Sequence, residues 1–204
     1  MVLHTMNWVA SLLAILPIQA ATLNGIQYNV DYGADHLDFF ADNAVRLRLD
    51  TSGNGARVGS AEATFNGQFC AKVITPMARG AILALYASTK SDTTGDRDEI
   101  TLQFMRNNDV DDGSVQTISF LKGVASPSQR VSIGAAKVSG IPGPAVTYCL
   151  SWNIGNSDPA LNKAVWSANG AQIRTLSLVG WTRPLRPILS YWSVQNDNPG
   201  NTRY

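Results

Sequence analysis

Glu99-Ile100-Thr101-Leu102-Gln103-Phe104-Met105 alternates polar and apolar residues without a break. Successive side chains of an extended strand point to opposite faces. Ile100, Leu102 and Phe104 are therefore expected to face a core. Glu99, Thr101, Gln103 and Met105 are expected to share the other face, as a polar stripe on the solvent side along a groove. The same reading extends outward. Val45-Arg46-Leu47-Arg48-Leu49 alternates as strictly, and further strands are predicted over 69–74, 82–87, 115–121, 146–152, 164–168, 172–178 and 187–194. Asp50-Thr51-Ser52-Gly53-Asn54-Gly55 is a turn cluster, 91–98 a polar loop, 107–113 a polar turn, and the Gly/Pro-rich stretch 139–144 a loop. Asn169-Gly170 between two strand predictions signals a tight hairpin, because both residues tolerate positive φ. Apart from the N-terminal segment, no stretch sustains a helical apolar period over three turns. Many short strands at regular spacing predict an all-β sandwich or barrel.

Composition narrows the class. Of 204 residues, 45% are hydrophobic and 15% charged, which suits a folded chain with a substantial core. The net charge of +1 gives no reason to expect a nucleic-acid partner or a polybasic membrane patch. Residues 1–20 read as a signal peptide, with an apolar run from Trp8 to Leu16 too short to span a bilayer and a cleavage region ending at Ala20 or Ala21. The expected protein is thus secreted, extracellular or in the cell wall, with no membrane association after cleavage. Residues 21–204 are expected to form one domain, a monomer, with 195–204 as a loose C-terminal tail. Cys70 and Cys149 both fall in strand predictions, so a disulfide and two small buried thiols remain equally open. His4 and His36 lack ligand partners at metal-binding spacing, and the Asp109, Asp111, Asp112 turn lacks the continuation of an EF-hand loop. No metal and no cofactor are therefore expected.

Several segments, in order along 36–194, resemble glycoside hydrolase family 16, and within it the xyloglucan endotransglucosylase/hydrolases. The family strand His-Asp-Glu-Ile-Asp-Phe-Glu-Phe-Leu-Gly-Asn is similar to Arg97-Asp98-Glu99-Ile100-Thr101-Leu102-Gln103-Phe104-Met105-Arg106-Asn107. Gly67-Gln68-Phe69, Ala84-Leu85-Tyr86-Ala87-Ser88-Thr89, Gln116-Thr117 with Phe120 and Gly123, and Thr147-Tyr148-Cys149-Leu150-Ser151-Trp152 resemble further family segments. So do 164–174 and Pro184-Leu185-Arg186 with Ser190 and Trp192. Residues 131–145 match poorly. The resemblance implies a β-jelly-roll sandwich of the concanavalin A-like lectin/glucanase architecture, whose concave face binds a polysaccharide, β-glucan or xyloglucan.

Family members are retaining enzymes, which need a carboxylate nucleophile and a carboxylic acid/base about 5–5.5 Å apart. Residue by residue, Glu99 stands at the nucleophile, Thr101 at the middle Asp and Gln103 at the acid/base Glu. A third departure is Ile118, where the family has a sugar-contacting Asn. A glutamine amide can hydrogen-bond a glycosidic oxygen but cannot protonate it. Gln116 is retained and, by resemblance, contacts sugar. Trp192 and Tyr86 match cleft positions and serve either as sugar contacts or in packing. Trp152 and Trp166 are expected in the core. The family normally continues past the Leu-Trp motif into a final strand, so the sheet is expected either to expose an edge or to fill part of it with 26–32. Three readings follow: a sugar-binding domain that has lost turnover, an active hydrolase or transglucosylase with another proton donor, and a non-catalytic interaction or structural relic.

Overall fold

The computed structural model of the chain describes residues 20–23, 26–40, 45–50, 54–73, 81–89, 95–105, 114–132 and 146–193. Residues 1–19 of the expected 1–20 leader, the 107–113 and 139–144 segments and the tail from 195 lie outside the described residues, while Ala20 opens the first described strand.

Fifteen strands are described: β1 (Ala20–Leu23), β2 (Ile26–Tyr32), β3 (Leu37–Phe39), β4 (Val45–Leu47), β5 (Ala56–Ser60), β6 (Asn66–Val73), β7 (Ala81–Ser88), β8 (Glu99–Met105), β9 (Ser114–Leu121), β10 (Val124–Ala125), β11 (Gln129–Ser132), β12 (Val146–Asn153), β13 (Lys163–Ala168), β14 (Ala171–Ser177) and β15 (Arg186–Ser193). A large sheet runs β1-β2-β5-β15-β7-β8-β9-β10, with β11 also paired to β9. A second sheet runs β14-β13-β12-β6, and β3 pairs with β4. Every pairing is antiparallel. The expected all-β sandwich is the observed architecture.

The core lies between the two sheets. Ile100, Leu102 and Phe104 of β8 enter it with Leu85 and Ala87 of β7, and meet Tyr148, Leu150 and Trp152 of β12 and Trp166 of β13. Trp152 and Trp166 are core residues, as expected. The Trp166 indole Nε1 also donates to the Thr101 carbonyl at 3.0 Å, which satisfies the buried N–H and ties the small sheet to the backbone of β8. Phe104 meets Tyr148 edge to face, with ring centroids 4.6 Å apart. Burial pushes the Tyr148 phenol up to about 12. A smaller cluster of Tyr28, Leu37, Ala56 and Val58 is packed by Phe39 of β3 and Val45 and Leu47 of β4.

Local chemistry sets the strand ends. Asn169 and Gly170 have φ of 47° and 81° and join β13 to β14, as the Asn-Gly signal predicts. Asn169 additionally exchanges hydrogen bonds with Thr147 through its backbone N–H and its side-chain oxygen. The 26–32 segment does extend the large sheet, pairing with β5. The alternating 45–49 segment forms a shorter strand, β4, over Val45–Leu47.

Register decides the cysteine question. Cys70 and Cys149 face each other directly across β6 and β12, with Cα atoms 4.1 Å apart, and form a disulfide. They are not two buried thiols: Cys70 is exposed on the face of the small sheet opposite to Phe69 and Ala71, which pack on the core.

Candidate functional site

The outer face of the large sheet carries the residues singled out in β8. Direct cross-strand partners share a face, so the ladder reads as rows. One row runs Phe120, Glu99, Ser88, Arg186. The next runs Ile118, Thr101, Tyr86, Ile188, Gly59, Asn29. A third runs Gln116, Gln103, Ala84, Ser190, Arg57, Tyr32. Trp192 and Ile82 continue the face beyond it. Glu99, Thr101, Gln103, Gln116, Tyr86 and Trp192 are therefore all brought to one surface.

One expectation needs correction. The polar stripe of β8 does not stand open to solvent along its length: Gln103 is 1% exposed and Thr101 4%. Alternation identifies a shared face but not whether that face is covered. Buried polar groups then have to find partners. Thr101 Oγ1 donates to Glu99 Oε1 at 2.8 Å, and Gln103 Nε2 donates to Gln116 Oε1 at 2.9 Å. The two ends of the stripe are thus held separately. Glu99 is also 3.7 Å from Arg97, whose guanidinium lies 4.0 Å from the centroid of the Phe120 ring. An arginine stacked on an aromatic ring keeps its charge while its plane is covered. Among the described residues Glu99 therefore faces one cation and one hydroxyl donor. Burial holds the Tyr86 phenol well above its usual range, with Arg57 pulling it down and Glu99 pushing it up. Tyr86 thus keeps its phenolic proton at neutral pH, and it is half-buried. Trp192 is likewise half-buried, while Ile118 is buried opposite Thr101.

Just before Glu99, Asp98 leaves the face altogether. Its carboxylate takes Arg183 Nε and Nη2 at 2.7 Å each and the Lys122 backbone N–H at 2.8 Å. Burial alone would raise its pKa, but the Arg183 hydrogen bonds and the Lys122 amide outweigh it and hold the carboxyl below its usual range. Asp98 is a structural clamp at the start of β8.

Sequence reasoning missed a second charged group on this face. A bulge between Val30 and Tyr32 puts one extra residue of β2 opposite β5. Asp31 meets Arg57 Nε at 2.9 Å and accepts a hydrogen bond from Arg186 Nη2. Gly59 makes this close approach possible, because a Cβ there would lie 2.6 Å from Arg186 Nη2. Tyr32 lies over Arg57, 5.5 Å from guanidinium carbon to ring centroid, and its hydroxyl is 3.1 Å from Ser190 Oγ. Among the described residues no group of three or more His, Cys, Asp or Glu is placed to hold a metal ion.

The fold is similar to several solved structures. These include a β-1,3-1,4-glucanase (lichenase) derived from a mouse hindgut metagenome, at TM-score 0.62 and 14% identity over 88% of this chain and 83% of that one. The Crh5 transglycosylase in complex with NAG gives 0.60 and 19% over 85% and 68%. The β-glucanase of Bacillus licheniformis gives 0.55 and 14% over 90% and 73%. At such identities the likeness is one of fold, and it makes this sandwich a jelly roll. No curated protein matches the sequence. The family description that does match, Glycosyl hydrolases family 16, covers residues 24–185, from before β2 to the start of β15. That span contains the Glu99 strand and most of the face it belongs to, and the chain belongs to glycosyl hydrolases family 16.

Proposed function

We propose that this chain is a secreted family 16 domain that binds β-glucan or xyloglucan, and that its glycosidase activity is lost or strongly reduced. The observation that carries the reading is the pairing of Gln103 with Gln116. At the acid/base position of the family strand stands an amide, buried and hydrogen-bonded to a second amide. Proton delivery to a leaving sugar oxygen is worth roughly 10²–10⁴ in rate, and an amide has no proton to deliver. Thr101 replaces the middle carboxylate and Ile118 the polar residue beside it. Asp31, a further described carboxylate that the β2 bulge brings beside this face, is engaged by two arginines. Glu99, the nucleophile position, keeps its carboxylate, and Gln116, Tyr86 and Trp192 supply polar and aromatic surface for a sugar. The glucanase names of structural neighbours favour a β-glucan ligand. Secretion is favoured by the leader-like first twenty residues and by the Cys70–Cys149 disulfide, a bond that persists in oxidising compartments.

The test pairs two measurements on the wild-type protein: retention on mixed-linkage β-glucan and on xyloglucan in affinity electrophoresis, and reducing-end release from both. Retention without release is expected. Release that Glu99→Ala abolishes would overturn the loss of turnover and establish the active-enzyme reading. Retention on neither polymer would overturn sugar binding and favour the interaction or relic reading.

A further inference from the structure

The Cys70–Cys149 bond stands on the outer face of the small sheet, away from the core. Side chains alternate along β6, so Phe69 and Ala71 pack inward while Gln68, Cys70 and Lys72 are exposed. Cross-strand partners extend this face across the sheet: Ser151 lies opposite Gln68, Cys149 opposite Cys70, and Thr147 opposite Lys72. The β6–β12 register runs over eight residue pairs, from Asn66 with Asn153 to Val73 with Val146. The disulfide is therefore an addition to a ladder that persists without it, and a thiol reaches it without entering the core.

The two sulfurs are not equally open to attack. Exchange begins when a thiolate attacks one sulfur of the bond, in line with the sulfur that leaves. In-line approach to Cys149 comes from the side of β13, where Ser167 is its direct cross-strand partner. In-line approach to Cys70 comes from the far side of β6, the last strand of this sheet among the described residues. Exposure runs the same way, since Cys70 is exposed and Cys149 half-buried. The rows on this face carry two charged side chains, Lys72 and Lys163, and no carboxylate. Lys72 is two residues from Cys70 on the same face, so the local field favours an incoming anion.

We propose that Cys70–Cys149 is a thiol-exchange site open in the folded protein, attacked at Cys70 by a small anionic thiol. The thiolate bonds to Cys70 Sγ as the Sγ–Sγ bond breaks, and Cys149 leaves as a thiolate that takes a proton from water. A second thiolate then attacks the sulfur of the adduct and frees Cys70, so two thiols are oxidised to one disulfide as the protein disulfide is reduced to two thiols. This site is independent of the sugar-binding reading.

The test uses the wild-type protein with mercaptoethanesulfonate, acid-quenched at early times and peptide-mapped by mass spectrometry. The exchange rate is expected to rise in proportion to thiol concentration and to change less than about twofold in urea too dilute to unfold the protein. A rate that levels off with thiol concentration and climbs steeply with urea would mean that unfolding must come first, and overturns the open site. The adduct is expected on Cys70 about tenfold more often than on Cys149; an equal split, or an excess on Cys149, overturns the direction of attack. At low salt mercaptoethanesulfonate is expected to outpace the cationic thiol cysteamine by about threefold, after each rate is divided by that thiol's rate with a small disulfide. Lys72→Gln and added salt should both shrink that ratio. A ratio of one at low salt, or one that neither change moves, overturns the anionic preference.

Discussion

The clamp at the start of β8 gives a prediction with an internal asymmetry. Asp98 and Arg183 form a two-pronged pair, yet they are not equally buried: the Asp98 side chain is 2% exposed and that of Arg183 30%. Arg183→Ala strands a buried carboxylate with the Lys122 amide as its remaining described donor. Removing one partner of a buried pair in this way costs about 3–5 kcal/mol. Asp98→Ala strands a guanidinium that reaches solvent and keeps Asp96, whose backbone and side-chain oxygens lie 3.0 and 3.1 Å away. The loss is then closer to that of a hydrogen bond to a charged group, about 1.5–3 kcal/mol. For a chain of this size each kcal/mol moves Tm by roughly 2–4 °C, so Arg183→Ala should lower it by about 6–20 °C and Asp98→Ala by clearly less.

The sign with pH is also fixed. The folded pKa of Asp98 is lowered from the ordinary value, so its contribution is complete above about pH 4 and fades as pH falls through the lowered value. The gap between wild type and Arg183→Ala must therefore narrow in acid. Urea denaturation at pH 7 and across pH 5 to 2.5 measures both effects. An Arg183→Ala cost below about 1 kcal/mol, or an Asp98→Ala cost as large as that of Arg183→Ala, would refute the burial argument. A gap that stays constant into acid would refute the linkage.

Two other outcomes are expected. Reducing the Cys70–Cys149 bond opens a link between residues 79 apart and should cost about 4–5 kcal/mol on a loop-entropy basis, read as a fall in Tm on adding dithiothreitol. Gly59→Ala drives a Cβ into Arg186 and should destabilise by about 1–3 kcal/mol in the same urea assay, whereas a neutral result would mean that the Arg186–Asp31 contact is not held tightly.

What the sequence discloses depends on how local the determinant is. β8 and the Asn169–Gly170 hairpin are written in adjacent residues, through alternation and through tolerance of positive φ. β5 is not. Ala-Arg-Val-Gly-Ser has little apolar bulk, yet it sits between β2 and β15 with all five residues buried. Gly59 makes room for Arg186, a partner supplied by a distant strand. The Asp31 cluster is hidden for the same reason, since Asp31 lies 26 residues from Arg57 and 155 from Arg186. The cysteines required a register, which no spacing supplies. At the site itself, the amide of Gln103, at the position where the resemblance implies an acid/base carboxylate, is legible in the residue identities. That Gln103 is buried against Gln116 depends on β9 lying alongside β8, and on the face being covered.

The central claim is that this site lacks a proton donor while its scaffold still receives a glucan. Reducing-end release from mixed-linkage β-glucan by the wild type and by the Thr101→Asp/Gln103→Glu double variant tests it most directly. Burial should keep the introduced acid/base carboxyl protonated into the working range. The account predicts no release by the wild type and measurable release by the folded double variant. Release by the wild type, lost in Glu99→Ala, would contradict it.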